Sequence, residues 1–420
     1  MKRSGASPGR ASSHPSPDPA TSSLSGPDLH LRHSRNGVDF LLSCCCILGW
    51  KVRRMKWKEK MPAPVRDRTF AEYGSSREKR PVLVDCALGT NPLGSPPWTK
   101  EYIKSGILPD PGGYPGDDLP LRKALSNSWN GAFSPDEIIT GTGSIGLIIS
   151  LAGAFCAPGA TVLGVAPQFP DGPMHFQFAG AFYRFLPLTP PEFDLDISRL
   201  LEEMTGDESI VYVDRPHNPT GQVPPLAEMA LLAEECRKGG SLLVVDEAYG
   251  DFLPPEESAF NLASPSVVVL RSFSKGRGLA GLRTGYCVIR DEEARKYLRK
   301  VAPPFSVGSL AMEMARASLL DADYVARSRE TVRDVKARVL QALERTRGIT
   351  VARTDPEVPI LLATWGEGPL DLYEALMEQG IRTEPGTCFS GIGPESVRLR
   401  VPAPGELGTF ERLWKKAFEE

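Results

Sequence analysis

The sequence predicts an α/β protein of three layers, in which helices cover both faces of a mostly parallel seven-stranded sheet. A smaller α+β domain is expected to follow it. Two observations carry this prediction. From about residue 80, short apolar runs alternate with glycine-rich turns and helical patterns. After Pro303-Pro304 this alternation gives way to one long helical stretch and a few short strands. Alternating strands and helices indicate a parallel sheet, because parallel strands need long crossover connections.

Seven apolar runs are the candidate strands of the large sheet. They are short, continuous and bounded by turn residues, as expected for strands covered on both faces. They lie at 137–140, 161–166, 182–188, 210–213, 242–246, 267–271 and 286–289. Helical patterns at 145–155 and 226–238 fall between them, and another lies at 310–320.

The second domain is predicted from a long helix over 324–346 and strands at 349–351, 360–364 and 397–401. No internal repeat is visible. We therefore expect a large domain over 111–303 and a small C-terminal domain over 304–420. Residues 61–110 are expected to form an N-terminal arm of the small domain.

Residues 1–60 differ from the rest of the chain. Residues 1–37 are rich in Ser, Pro, Gly and Arg, and such a composition cannot bury a core. The apolar stretch 38–50 is too short to span a bilayer, and the basic run 51–58 follows it. We interpret residues 1–60 as a disordered or artefactual extension with the true start near Met55 or Met61. A transit peptide or a membrane-surface tether is the alternative, which N-terminal sequencing would test.

Composition limits the partners and the compartment. The chain has 420 residues, 49 Lys and Arg against 52 Asp and Glu, and a hydrophobic share of 41%. This near-neutral balance argues against a nucleic-acid partner, which needs clustered positive charge. No membrane partner is expected. The eight cysteines and five histidines show neither metal spacing nor a disulfide framework, so no metal and a cytoplasmic location are predicted.

Lys275 is the most informative residue. It follows the apolar run 267–271 within Ser272-Phe273-Ser274-Lys275. It therefore lies near the carboxyl end of a predicted strand, where open α/β sheets bind their ligands. A desolvated amine at such a position can lose its proton and form a Schiff base with a carbonyl group.

Asp246 ends another apolar run, and Tyr249 follows three residues later. A carboxylate at the end of a buried strand is costly unless it is paired. Asp246 is either a helix cap or ion-pair partner, or a carboxylate that keeps a heterocyclic nitrogen protonated. Tyr249 is either an ordinary amphipathic tyrosine or a hydrogen-bond donor to the same ring.

Three further segments contribute polar groups. The turn over 141–146 contains three glycines and opens a helix, whose free N–H groups can bind a phosphate. Asn218 begins an Asn-Pro-Thr-Gly turn that can fix its amide at the sheet edge. Arg283 offers a planar charged group suited to phosphate. Each segment taken alone is also common in ordinary turns and surfaces.

Together these segments resemble the pyridoxal-phosphate-dependent aminotransferases of fold type I, over roughly residues 80–415. The resemblance is closest to the branch of histidinol-phosphate aminotransferase and threonine-phosphate decarboxylase. It rests on four motifs that occur in the family's order. They are Asn-Pro-Thr-Gly at 218–221, Asp-x-x-Tyr at 246–249, Ser-x-Ser-Lys at 272–275 and Gly-Leu-Arg-x-Gly at 281–285.

The resemblance implies a role for each matched residue. Lys275 would hold pyridoxal 5'-phosphate as an internal aldimine and later move protons. Asp246 would pair with the ring nitrogen, and Asn218 and Tyr249 would contact the ring's phenolic oxygen. The groups implied in binding the cofactor phosphate are Gly143, Ser144, Ile145, Ser272 and Arg283.

Four more residues match positions around the cofactor and substrate. Phe169 would stack on the ring, and Tyr114 would reach the neighbouring site across a homodimer interface. Arg398 would grip the substrate's α-carboxylate, with Arg400 as the alternative two residues on. Asn91 lies in the segment that would fold over the substrate.

The sequence departs from the family at three positions. Ile145 stands where this branch often has an acidic residue, and His217 where Asn or a small residue is common, with Arg215 before it. Arg215 and His217 are expected either to face solvent or to bind an extra anionic group of the substrate. We favour the solvent-facing interpretation.

The implied function is transamination between an amino acid, or an amino-acid-like phosphate, and a 2-oxo acid. A decarboxylase of the threonine-phosphate type is the alternative on the same scaffold. A remote alternative is a non-enzymatic domain of a transcription regulator, but residues 1–60 show no paired helical pattern for binding DNA.

Overall fold

The computed structural model of the chain describes residues 65–66 and 80–418, so the prediction for residues 1–60 lies outside the described residues. The strands in this part are β1 (Val84–Asp85), β2 (Ile138–Gly141), β3 (Thr161–Ala166), β4 (Phe182–Pro187), β5 (Glu208–Asp214), β6 (Leu242–Glu247), β7 (Val267–Ser272), β8 (Gly285–Ile289), β9 (Ile349–Val351), β10 (Ile360–Trp365), β11 (Ile381–Arg382), β12 (Glu384–Pro385) and β13 (Ser396–Arg400). The α-helices are α1 (Trp98–Lys104), α2 (Leu119–Ser128), α3 (Gly143–Phe155), α4 (Asp171–Phe178), α5 (Ile197–Glu202), α6 (Leu226–Gly239), α7 (Glu292–Val301), α8 (Ser309–Ser318), α9 (Ala322–Glu344), α10 (Leu372–Glu378) and α11 (Leu407–Phe418).

The large sheet has seven strands in the order β2-β8-β7-β6-β5-β3-β4. The pairs β4-β3, β3-β5, β5-β6 and β6-β7 are parallel. Strand β8 runs antiparallel to both of its neighbours, β2 and β7. The predicted mostly parallel seven-stranded sheet is confirmed. All seven predicted strands are present, and their ends differ from the prediction by at most two residues.

The side chains of the central strands alternate between two apolar cores. In β6 and β7, Leu243, Val245 and Val269 belong to one core, whereas Val244 and Val268 belong to the other. Successive residues of a strand point to opposite faces, so a strand covered on both sides must be apolar throughout. This is why continuous apolar runs, rather than alternating ones, predicted the strands.

The smaller domain contains an antiparallel sheet in the order β12-β13-β10-β9. Strand β1 pairs in parallel with β11, and Val84 and Cys86 join the core of this domain. This pairing supports the expectation that residues 61–110 belong to the small domain, although the domain boundaries stay a prediction. The long helix begins at Ala322, two residues before the predicted start, because the Asp321 side chain accepts a hydrogen bond from the Tyr324 N–H.

Asp214, Asp246 and Ser272 come at the carboxyl ends of three adjacent strands, β5, β6 and β7. Asp214 and Asp246 are directly paired in the register of β5 and β6. The sheet therefore brings these three polar residues together along one edge. Within the described residues, no helix is long and apolar enough to cross a membrane.

Candidate active site

A cavity of about 270 Å³ opens at the carboxyl edge of the large sheet. Nine of the residues predicted from the sequence line it. They are Ser144, Ile145, Phe169, Asn218, Asp246, Tyr249, Ser272, Lys275 and Arg283. These residues come from six separate segments of the chain, which the fold brings together around one cavity.

Lys275 lies in a turn that directly follows β7. Its Nζ is 5.3 Å from the centre of the Tyr249 ring. The turn is held by backbone hydrogen bonds from the Phe273 N–H to the Thr284 carbonyl (3.0 Å) and from the Leu279 N–H to the Phe273 carbonyl (2.9 Å). The buried Phe273 side chain anchors the same turn. The lysine amine is therefore presented to the cavity by a fixed backbone.

Asp246 is buried at the end of β6 and is held in position by two donors. Its carboxylate accepts hydrogen bonds from the Ala248 N–H (2.9 Å) and from the Tyr212 hydroxyl (3.1 Å). Burial, followed by the charge of Asp214, raises the pKa of Asp246 to about 7, and Lys275 acts in the opposite direction. A cation beside Asp246 would favour its ionised form.

The opposite wall of the cavity is suited to an anion. Ser144 and Ile145 belong to the first turn of α3, where free N–H groups and the helix dipole favour negative charge. Ser272 and Ser274 line the cavity beside them. The Arg283 guanidinium donates to the Ser274 hydroxyl (3.1 Å) and to the Ala280 carbonyl (3.0 Å).

Arg283 approaches the start of α3 closely because Gly143 has no side chain. Gly143 has a φ of +73°, and a Cβ atom there would lie 3.0 Å from Arg283 Nη2. Arg283 itself has a φ of 52°, a conformation that residues other than glycine rarely adopt. Such strain tends to persist where function requires a fixed geometry. Gly143 thus shapes this wall without lining the cavity.

Asn91 does not line the cavity, and its neighbours Leu88 and Thr90 do. The Asn91 amide donates to the Gly276 carbonyl (2.9 Å) and to the Ser328 hydroxyl (2.8 Å). Asn91 therefore fastens the N-terminal arm to the turn after Lys275 and to α9. Its predicted contact with substrate stays a prediction.

Arg398 and Arg400 are both buried in β13, and neither lines the cavity. Arg398 donates to the Ala87 carbonyl, and its Nη2 lies 3.4 Å from Glu384 Oε2. Arg400 donates to the carbonyls of Asp85 and Val401. Of these two arginines, Arg398 is the one whose guanidinium group lies beside a carboxylate, that of Glu384. Its predicted role in binding the substrate carboxylate stays a prediction.

Tyr114 lies on the surface and outside the cavity of its own chain. Its side chain is 85% exposed, and its ring packs against Phe305 at a distance of 5.0 Å between ring centres. Its predicted reach across a dimer interface stays a prediction.

The expectation that Arg215 and His217 face solvent is wrong, since both are completely buried. Arg215 pairs with Glu257 (2.9 Å) and donates to the Pro224 carbonyl (2.7 Å). The His217 ring contacts Thr220 Oγ1 (2.8 Å) and the Pro167 carbonyl (2.9 Å). Sequence patterns could not predict the contacts with Glu257 and Pro167. Glu257 lies 42 residues along the chain from Arg215, and Pro167 lies 50 residues from His217.

Two carboxylates that line the cavity, Asp171 and Asp214, were not singled out from the sequence. Asp214 had a detectable signal, because it directly follows the apolar run 210–213 just as Asp246 ends its own run. Asp171 had none, since it begins the short helix α4, whose apolar pattern is weak.

The arrangement fits pyridoxal 5'-phosphate. The cavity places an amine, a carboxylate and an anion-binding wall around one space, and a Cβ atom on Gly285 would lie only 2.8 Å from the Ser144 N–H. No cluster of three or more metal-binding side chains occurs in the part of the chain that the structure describes. Fold and site together define a cofactor-dependent enzyme of fold type I.

The comparisons with known proteins name the family. The family described as aminotransferase class I and II matches residues 112–416. Histidinol-phosphate aminotransferase of Symbiobacterium thermophilum is 30% identical over 341 residues, which cover 80% of this chain and 91% of that protein. An aromatic amino acid aminotransferase of Streptomyces coelicolor is 34% identical over 269 residues, covering 63% and 72%. The chain therefore belongs to the class I and II aminotransferases and is a pyridoxal-phosphate-dependent transaminase, as the resemblance implied.

Solved structures agree on the fold. Histidinol-phosphate aminotransferase of Sinorhizobium meliloti, in complex with pyridoxal 5'-phosphate, superimposes with a TM-score of 0.70 at 21% identity. The match covers 81% of this chain and 92% of that one.

Proposed function

We propose that the chain transfers an amino group between an amino acid, or an amino-acid-like phosphate, and a 2-oxo acid, with Lys275 as the catalytic amine. One observation carries this proposal: the Lys275 amine and the Asp246 carboxylate line one cavity together with an anion-binding wall. When bound, pyridoxal phosphate supplies an aldehyde for amines and a ring that accepts charge from the α-carbon.

Each residue then has a defined task. Lys275 would hold the cofactor through Nζ and would move the proton at the substrate's α-carbon. Asp246 keeps the ring nitrogen protonated, which favours acceptance of negative charge. Ser144, Ser272 and Arg283 hold the phosphate, so that the ring stays in one orientation while substrates exchange.

The substrate side chain is proposed from the relatives. Their names point to amino donors with an imidazole or another aromatic side chain, and they favour transamination over the decarboxylase alternative. We place the substrate carboxylate at the side of the cavity formed by Leu88 and Thr90, with Arg398 behind it.

We further propose a homodimer. The exposed aromatic pair Tyr114 and Phe305 supports it, because two adjoining rings on a surface are typical of an interface. Sedimentation of the purified protein at several concentrations tests this proposal. The predicted cytoplasmic location is tested by fractionating cells that produce the protein.

Replacing Lys275 tests the catalytic assignment. The variant Lys275→Ala should fold, lose covalent attachment of pyridoxal phosphate after borohydride reduction, and lose turnover. The exposed Lys300→Ala is the matched control and should retain both. A Lys275→Ala protein with full turnover would contradict the proposal.

Product analysis separates the two reactions. The protein should convert histidinol phosphate or an aromatic amino acid to the matching carbonyl compound while a 2-oxo acid is aminated. Carbon dioxide released from an amino acid, in the absence of any 2-oxo acid, would instead show decarboxylation.

A further inference from the structure

The cavity contains a second buried carboxyl group beside Asp246. Asp214 ends β5, and its register partner in β6 is Asp246. Paired residues on neighbouring parallel strands point to the same side of the sheet, and the strands lie about 4.8 Å apart. Both side chains are almost fully buried, and both line the cavity. The two carboxyl groups therefore share one environment.

The two oxygens of Asp214 differ in their contacts. Oδ2 accepts a hydrogen bond from the Asn218 N–H (2.8 Å). Oδ1 is also buried, and the Gln168 side chain and the Phe169 N–H both lower the pKa of Asp214. The Asn218 N–H therefore holds the Asp214 carboxyl group at the wall of the cavity.

The charges around Asp214 come from several elements. Tyr212 lies on the same strand and donates to Asp246, and Tyr183 lies on β4 within the field of Asp214. The other charged or titratable groups that line the cavity are Asp171, Tyr249, Lys275 and Arg283. Burial raises the pKa of Asp214 and of Asp246 to about 7 each, and the charge of Asp214 further raises that of Asp246. Two carboxyl groups this close titrate as a pair.

We infer that Asp214 and Asp246 act as a carboxyl pair that holds one proton between them and releases it when a protonated ring nitrogen lies against Asp246. Asp246 makes the contact, and Asp214 is a positioning residue that strengthens the negative field at that nitrogen. The proton passes to solvent, so the pair changes from one negative charge to two. The choice of a pyridine-type ring as the occupant rests on the proposed function.

The first test uses the variant Asp214→Asn, which keeps the shape and the acceptor for the Asn218 N–H but removes the charge. Asp194→Asn is the matched control, because it removes an exposed carboxyl group that does not line the cavity. The affinity of the cofactor-free protein for pyridoxal phosphate is measured at pH 6 and pH 8, with proton release followed by calorimetry in two buffers.

Asp214→Asn should weaken binding at pH 8 by about tenfold or more, since one neighbouring charge shifts a pKa by about one to three units. The loss at pH 6 should be smaller, and binding at pH 7 should release fewer protons than in the unaltered protein. Asp194→Asn should show neither change. Equal affinity and equal proton release in Asp214→Asn and the unaltered protein would overturn the inference.

The second test needs no cofactor. Because both carboxyl groups have pKa values raised above about 3.9, the folded protein binds protons that the unfolded chain releases. The contribution of this pair to thermal stability should therefore be greatest below about pH 4 and be lost as the pH rises to about 7. The fall should be smaller in Asp214→Asn, and in Asp214→Ser as a second variant. If thermal stability falls with pH as much in both variants as in the unaltered protein, the inference of a carboxyl pair is wrong. Failure of the unaltered protein to bind pyridoxal phosphate would refute the proposed function. The pH dependence of thermal stability, measured without cofactor, would still test whether Asp214 and Asp246 form a carboxyl pair.

Discussion

Gly89 lies directly against the hydroxyl group of Tyr249. A Cβ atom on Gly89 would lie 1.7 Å from Tyr249 Oη and 3.3 Å from Lys275 Nζ. The N-terminal arm therefore closes one side of the cavity by bringing its backbone into contact with the catalytic amine. Only glycine leaves room for this approach.

Gly89→Ala should abolish most activity while the protein remains folded. The new methyl group must displace the Tyr249 hydroxyl and the Lys275 amine, and overpacking of this kind costs about 1–3 kcal/mol. Turnover and covalent attachment of pyridoxal phosphate are the measurements. Gly405→Ala is the control, since its Cβ would meet no atom within 4 Å. Full activity in Gly89→Ala would show that the arm is mobile at this point.

The two arginines of β13 should respond differently to lysine. Arg398→Lys should raise KM for the amino donor by about tenfold or more, because a lysine cannot reproduce bidentate binding of a carboxylate. Arg400→Lys should leave KM nearly unchanged and lower the free energy of unfolding by about 1.5–3 kcal/mol, since Arg400 donates to two backbone carbonyls. Steady-state kinetics and urea unfolding give the two quantities. The opposite pattern would assign the carboxylate to Arg400.

Lys336 should be required for stability. Its buried ammonium group contacts four oxygens, those of Thr354 Oγ1 (2.6 Å) and of the carbonyls of Asp355 (2.6 Å), Val358 (2.7 Å) and Ile360 (3.0 Å). Lys336→Met removes a charged donor from all four oxygens and should cost about 3 kcal/mol or more in urea unfolding. The same loop contacts Gly221, since the Asp355 N–H donates to its carbonyl (2.9 Å). Activity should therefore fall together with stability, and a Met variant as stable as the unaltered protein would contradict this role.

The titration of the Lys336 amine should also contribute to the pH dependence of stability. Burial lowers its pKa to about 7, whereas an unfolded lysine titrates near 10.4. Between these values the unfolded chain binds more protons, so this lysine makes stability rise with pH from about 7 to about 10 and adds no slope below 7. The difference in unfolding free energy between the unaltered protein and Lys336→Met should grow over that range. A constant difference would show that the hydrogen bonds keep the ammonium charged.

Glu247 and Arg271 form a buried ion pair at the ends of β6 and β7, next to Asp246 and Ser272. Arg271 Nη2 lies 2.8 Å from Glu247 Oε2. Glu247→Ala leaves the arginine buried without this partner and should cost about 3–5 kcal/mol. Chemical unfolding measures the loss. The exposed pair of Arg237 and Glu234 is the control, and Glu234→Ala should leave the free energy of unfolding nearly unchanged.

Much of the sheet and part of the site were predictable because their signals are local. A strand buried on both faces must be apolar throughout, so β5, β6 and β7 can be located from composition alone. Asp246, Ser272 and Lys275 come at or just after the ends of such runs, and the edge of a parallel sheet is where ligands bind. Their spacing and order also carried the resemblance to the aminotransferases.

The sequence alone determined the sheet, the cofactor class and the residues at the strand ends. The tertiary structure decided that Arg215 and His217 are buried, that Asp214 is paired with Asp246 and that Gly89 contacts Tyr249. It also gave Arg398 its partner Ala87, 311 residues away in the chain. Burial and charge pairing depend on which distant segments come into contact. Residue patterns within one segment do not predict these contacts. The sequence therefore predicted local structure, whereas the electrostatics of the cavity could be determined only from the folded chain.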